Sequence, residues 1–256
     1  MIKKQIHYFL TAVLFFTRIP CPKWVDHSED ILNKSNRYFS LVGILVGTIS
    51  SLVLVSSSFI FPDHISILLS MVGSIGITGA FHEDGFADVC DGFGGGWTKE
   101  KILTIMKDSR LGTFGVIGLI SILGLKYISL YELHHNSINL IIVIISGNSI
   151  SRAIATILLF THNYVRDFDT SKVKPTSKKM STKSLIISIS FGILPLFFFN
   201  NYKIFLVIIP LFFTYLYMGY FFKKWIGGQT GDCAGALQQV SEIVFYLSLL
   251  VIWKLF

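Results

Sequence analysis

Long apolar runs constrain this 256-residue chain more than anything else in it. Residues 38–61, 65–81, 111–133, 137–160, 185–199, 202–222 and 234–256 each read as a helix through a lipid bilayer or most of the way through one. Such a span needs about 20 mainly apolar residues, and hydrocarbon leaves backbone N–H and C=O groups no partners except those inside the helix. Only 14% of the residues are charged, against about a quarter in soluble domains. The expected architecture is therefore all-α: a polytopic integral membrane bundle of about six to eight transmembrane helices, one domain over residues 1–256. Gly43 and Gly47 in the first run have the small-xxx-small spacing that lets two membrane helices touch closely. Residues 6–16 follow Lys3 and Lys4 as in a signal peptide, but Pro20 and Pro22 come where a small-residue cleavage site would be, so they read as a retained, short or interfacial helix.

The polar segments between the runs alternate in charge. With each run taken as a crossing, the segments around 82–110, 161–183 and 223–233 emerge on one side, and they carry most of the Lys and Arg. The opposite turns at 62–64 and 134–136 have neither, and that at 200–203 has only Lys203. The positive-inside rule places the basic side in the cytoplasm, in a cell (inner) membrane. The net charge of +7 thus reflects topology. No basic stripe is interleaved with exposed aromatics, so nucleic acid is excluded as a partner and membrane lipid is the expected surrounding. Cys21, Cys90 and Cys233 are scattered, without a Cys-x-x-Cys pair, which fits a reducing side and argues against zinc.

Glu83, Asp84, Asp88 and Asp91 fall within nine positions directly after the second run. Asp84, Asp88 and Asp91 are spaced i, i+4, i+7, so a helix would carry all three carboxylates on one stripe. Like charges so close repel unless a cation lies among them. Mg²⁺ suits such a place, since it takes oxygen ligands and bridges one or two carboxylates to phosphates. Gly92, Gly94 and Gly95 follow, expected to stop the helix and to let backbone approach a ligand. A second cluster, Gly227-Gly228-Gln229-Thr230-Gly231-Asp232, lies on the same side. Asp232 can complete a metal cage or act as a base, and Thr230 with the Gly231 backbone can hold phosphate oxygens. Between the two clusters, residues 98–110 read as an amphipathic surface helix ending at Asp108 and Arg110. The Arg110 fork matches a phosphate, and Asp108 beside it is a further catalytic candidate. Arg152, inside a span, belongs either to the site or to a structural ion pair. Carboxylates, an arginine and glycine-rich turns together suit phosphoryl transfer.

The stretch 82–88 with Asp91-Gly92, followed by Met106-Lys107-Asp108-Ser109-Arg110-Leu111-Gly112-Thr113-Phe114-Gly115, resembles the cobalamin 5′-phosphate synthase (adenosylcobinamide-GDP ribazoletransferase) family. Residues 15–20, 37–43 and 231–236 resemble it too, in order along the chain. The resemblance implies a polytopic membrane enzyme of late cobalamin assembly. It would join adenosylcobinamide-GDP to α-ribazole or α-ribazole 5′-phosphate, release GMP and use Mg²⁺. It further implies Asp84, Asp88 and Asp91 at the metal with Glu83 assisting, Asp232 as base or further ligand, and Arg110 and Thr230 at phosphate. Rival readings are a CDP-alcohol phosphotransferase, a prenyltransferase or an ion-coupled transporter. The first usually shows Asp-Gly-x-x-Ala-Arg, and here positions 88 and 89 are Asp and Val. A transporter would hold its carboxylates mid-span. The oligomeric state, a homo-oligomer included, is left open.

Overall fold

The computed structural model describes residues 2–26, 28–136, 138–165 and 180–255. Arg166, Lys172, Lys174, Lys178 and Lys179 of the basic 161–183 segment lie outside the described residues. The described residues form eleven α-helices: α1 (Ile2–Phe16), α2 (Glu29–Ser35), α3 (Phe39–Ser58), α4 (Asp63–Thr78), α5 (Phe81–Gly95), α6 (Lys99–Ile105), α7 (Thr113–His135), α8 (Leu140–Thr161), α9 (Thr182–Ile193), α10 (Ile208–Ile226) and α11 (Gly231–Leu255). Among the described residues there is no strand beyond an isolated bridge between Tyr164 and Gln229. The protein is an all-α polytopic membrane bundle. Among the described residues, five helical stretches are long and apolar enough to cross a bilayer: Glu29–Ser58, Thr113–His135, Leu140–Thr161, Tyr202–Ile226 and Gly231–Leu255. Counted as one span, the bent pair α4–α5 makes a sixth, and Thr182–Phe198 is a shorter apolar helix.

α8 is the centre, buried along most of its length. α3 lies against it where Gly43 faces the Asn148 carbonyl and Gly47 has the Ile145 Cα only 2.7 Å from where a Cβ would stand. The spacing of those two glycines therefore does what it does in other membrane helix pairs. α7, α10 and α11 complete the main apolar core with α8. α1 closes a smaller core through Ala12, Val13 and Phe16, whose ring stacks on Phe39 at 4.1 Å. It stops ahead of Pro20 and Pro22, as expected. Outward-facing side chains such as Leu52, Val72, Ile120, Phe213 and Tyr217 are large and apolar, as lipid contact demands.

The sharpest departure from a simple bundle is an elbow. α4 ends with Gly79 at φ +66°, Gly79 N–H bonded to Gly76 O (3.3 Å) and Ala80 N–H to Ile75 O (2.9 Å), the paired bonds of a Schellman closure. Ala80 follows at φ +57°, and α5 leaves at 88° to α4. The Arg18 side chain lies on Gly79, where no Cβ would fit, and the Arg18 backbone N–H donates to Ile77 O at 2.7 Å. The acidic stretch thus runs across the end of the bundle instead of prolonging the second span.

One local expectation is met and one is corrected. The glycine cluster after Asp91 ends α5, at Gly95 with Gly96 as its cap. Gly92 and Gly96 leave room for Met106 and Ile102 of the next segment, so packing offsets the low helix propensity of glycine. The surface helix expected over 98–110 covers only Lys99–Ile105. Asp108 Oδ1 accepts the Arg110 N–H at 3.1 Å, a local turn that competes with helix.

Candidate active site

The site grows from the crossing of α5 and α11. A Cβ on Gly85 would stand 2.9 Å from the Asp232 Cα and 3.2 Å from its carbonyl oxygen. One on Gly235 would stand 3.3 Å from the His82 carbonyl oxygen. Two glycines thus let the backbones meet, and they put Asp232, in the first turn of α11, against the turn of α5 between Asp84 and Asp88. Thr230 is buried and caps α11, its hydroxyl accepting the Cys233 N–H at 3.3 Å. The segment before it is fixed by Gln229 N–H to Asn163 O (2.9 Å) and Val165 N–H to Gln229 O (3.1 Å). The expected proximity of the two distant clusters is what the chain adopts.

The four carboxylates of α5 do not share one environment. Asp84 is exposed, Asp88 is partly buried, and Asp91 is buried. Asp91 accepts the Gly112 N–H at 2.7 Å on Oδ2 and the Gly115 N–H at 2.8 Å on Oδ1. Its charge lies on the N-terminus of α7, a favourable place for an anion. Glu83 turns inward and accepts from Gln239 Nε2 at 3.1 Å. Among the described residues no three His, Cys, Asp or Glu side chains converge on one point. The expected stripe therefore resolves into an exposed Asp84, a half-buried Asp88 and an Asp91 tied to α7, while Glu83 beside it is tied to α11.

Other candidates fall around this crossing. Arg110 is exposed in the loop after α6, and Asp108 grips its fork through Nε (3.0 Å) and Nη2 (2.6 Å). That bond raises the guanidinium pKa above its ordinary value. Gly94 has the Phe114 ring where a Cβ would go, and Gly95 has Ile105 Cδ1 at 3.4 Å, so both glycines make room for packing. Gly231 has open space around it. Arg152 is buried and stands away from solvent. Its Nη1 donates to Asn148 O (2.8 Å) and Asn148 Oδ1 (3.0 Å), and its guanidinium lies over Phe39. It is held in the bundle interior, not at the exposed carboxylates.

Sequence reasoning gave no role to the polar groups beside it. Lys126 Nζ pairs with Glu242 Oε1 at 2.8 Å, both side chains buried. Tyr246 OH donates to Glu242 Oε1 at 2.7 Å, and Gln238 Nε2 donates to its Oε2 at 3.2 Å. Gln239 Nε2 bonds both Gln238 Oε1 (3.0 Å) and Glu83. The signal was present: a Lys in the middle of one apolar run, and Gln238, Gln239 and Glu242 on successive turns of another. Ionisable groups inside a span are costly unless paired.

Comparison with known proteins sets this arrangement in a family. The family model for cobalamin-5-phosphate synthase matches residues 8–250. A protein of Shewanella frigidimarina named adenosylcobinamide-GDP ribazoletransferase is 46% identical over 250 residues, 97% of this chain and 96% of the relative. Proteins of the same name from Shewanella sp. strain W3-18-1 and Shewanella oneidensis are each 44% identical over 97% of this chain and 95% of their own length. No solved structure matches.

Proposed function

The chain belongs to the cobalamin-5-phosphate synthase family, and on that premise we propose that this transferase joins adenosylcobinamide-GDP to α-ribazole or its 5′-phosphate and releases GMP. The observation that carries the reading is the seating of the Asp232 backbone on Gly85, which sets the first turn of α11 against the turn of α5 that bears Asp84 and Asp88. Membership in this family also sets aside the CDP-alcohol phosphotransferase, prenyltransferase and transporter readings.

The donor set suits Mg²⁺. Asp84 and Asp88 offer hard oxygen ligands one helical turn apart, and a dication bridging one or two carboxylates to phosphates needs no protein cage. Asp84 and Asp88 would hold it, with Asp232 across the crossing. When bound, Mg²⁺ would neutralise charge on the diphosphate and on departing GMP. The chain's own groups do the rest. Asp232 accepts the proton of the ribose hydroxyl as that oxygen bonds to the cobinamide-side phosphorus. The P–O bond to GMP breaks, and its electron pair leaves with GMP. Arg110 leaves Asp108 for a phosphate of the donor, where a fork forms two parallel bonds. Asp91 holds α7, and so the loop bearing Arg110, in register with α5. Arg18, Arg37, Lys99, Lys107 and Lys183 belong to the segments at the site end of the bundle, which supports a site facing the cytoplasm.

GMP release from adenosylcobinamide-GDP by the purified chain, with α-ribazole as acceptor, tests the reading. Release should require Mg²⁺. Asp84→Asn and Asp88→Asn should each nearly abolish it while the proteins still insert and keep their melting temperature. Undiminished release in EDTA, or near wild-type rates in both variants, would rule the reading out.

A further inference from the structure

The 88° elbow lets α4 fix where α5 begins, but not how α5 is rolled about its own axis. That roll decides where Asp84 and Asp88 point. A roll of about 20° carries a group ~5 Å from a helix axis through about 2 Å. Misplacement by only about 1 Å can lower a rate about a hundredfold. Gly85 and Gly235, at the crossing itself, have no side chains with which to resist it. At the far end of α5 the Asp91 bonds to α7 resist it. Near Asp84, Phe81 and His82 pack on the rings of Phe15, Phe16 and Phe39, and the polar group that resists it is Glu83, whose Oε1 takes the Gln239 amide at 3.1 Å.

Gln239 is itself anchored. Its Nε2 also meets Gln238 Oε1 at 3.0 Å, Gln238 Nε2 reaches Glu242 Oε2 at 3.2 Å, and Glu242 Oε1 takes Lys126 Nζ at 2.8 Å. All these side chains are buried. A hydrogen-bonded chain thus runs from the interior of α7, through α11, to the residue next to Asp84. Apolar side chains of similar volume would often serve stability as well or better, whereas a connected buried network favours one arrangement over its neighbours.

We propose that Gln239 is a positioning residue: anchored through Gln238 to the Lys126–Glu242 pair, it fixes the roll of α5 through Glu83 and so aims Asp84 and Asp88 at the divalent cation and diphosphate. The proposal rests on the reading of α5 as the phosphoryl-transfer site.

The test uses the full chain in detergent, with Mn²⁺ binding followed by EPR, thermal unfolding, and Mg²⁺-dependent GMP release. Gln239→Met keeps the side-chain length and removes the amide. It should weaken Mn²⁺ binding and lower kcat by about tenfold or more, a loss larger than any fall in melting temperature accounts for. The exchange Glu83→Gln/Gln239→Glu restores a carboxylate–amide bond with the partners reversed, and should recover both readouts. Wild-type Mn²⁺ affinity and turnover in Gln239→Met would overturn the proposal. So would losses that track a lowered melting temperature and are not recovered by the exchange, since Gln239 would then be a strut. If the wild type binds Mn²⁺ but releases no GMP, and Gln239→Met loses that binding, the positioning role stands and the reaction assignment falls. If the wild type is active and Gln239→Met is unchanged, the reverse holds. A wild type that neither binds Mn²⁺ nor releases GMP ends both.

Discussion

Arg110 and Asp108 form a pair two residues apart, with the guanidinium turned to solvent and its fork already matched to a carboxylate. A phosphate presents the same two-oxygen face, so the geometry that holds Asp108 is the geometry that would hold a diphosphate. Arg110→Lys keeps the charge and loses the fork. It should lower kcat/KM by about tenfold or more, with little change in the Mg²⁺ concentration for half-maximal rate; steady-state kinetics at saturating and limiting Mg²⁺ check both. At this scale much of the site was legible. Asp84, Asp88, Asp232 and Arg110 stand out by type and spacing alone. Glu83, Asp84 and Asp91 look alike on paper, yet their partners are Gln239, solvent and the N–H groups of Gly112 and Gly115. Which of two adjacent carboxylates turns inward depends on a helix some 150 residues later, and periodicity in one segment carries no information about that.

Among elements, α7 and α11 are joined by Lys126 and Glu242 inside the bundle. Removing one partner strands the other charge in a low-dielectric interior. Lys126→Met or Glu242→Gln alone should therefore destabilise by about 3–5 kcal/mol. Lys126→Met/Glu242→Met, which removes both charges, should lose much less than the sum. A double-mutant cycle of thermal unfolding in detergent measures the coupling. The α3–α8 contact could be read from Gly43 and Gly47, because two small residues four apart have few other uses in a span. The break at Gly79–Ala80 could not. Residues 65–81 are apolar straight through it, and the cause of the turn lies partly in Arg18, far back in the chain. The glycines that end α5 were legible as a stop, though not as the places against which Met106 and Ile102 pack.

For the molecule as a whole, the two ends of the bundle carry different chemistry. The 62–64 and 134–136 turns meet through His134 Nε2 and Asp63 Oδ2 at 3.1 Å, and Asn201 shares a cavity with Asn139 and Trp253 at that end. The carboxylates and most described Lys and Arg gather at the other. Single cysteines at 84, 232 and 201, introduced into a chain with its native cysteines changed to serine, test this in sealed vesicles. A membrane-impermeant maleimide should reach 84 and 232 from one side and 201 only from the opposite side. Labelling of 84 and 232 from different sides would contradict the arrangement. The charge asymmetry of the loops already implied this pairing of ends, because it depends only on how many times the chain crosses.

The right angle between α4 and α5 also makes the two helices a crank. α4 is the shaft and α5 the arm, and Asp88 sits about 12 Å out along that arm, eight residues from the elbow at 1.5 Å each. Turning the shaft by about 5° sweeps the carboxylate through roughly 1 Å. The bonds of Asp91 to Gly112 and Gly115 and of Glu83 to Gln239 brace that arm against such a turn, so the lever stays still only while both braces are made.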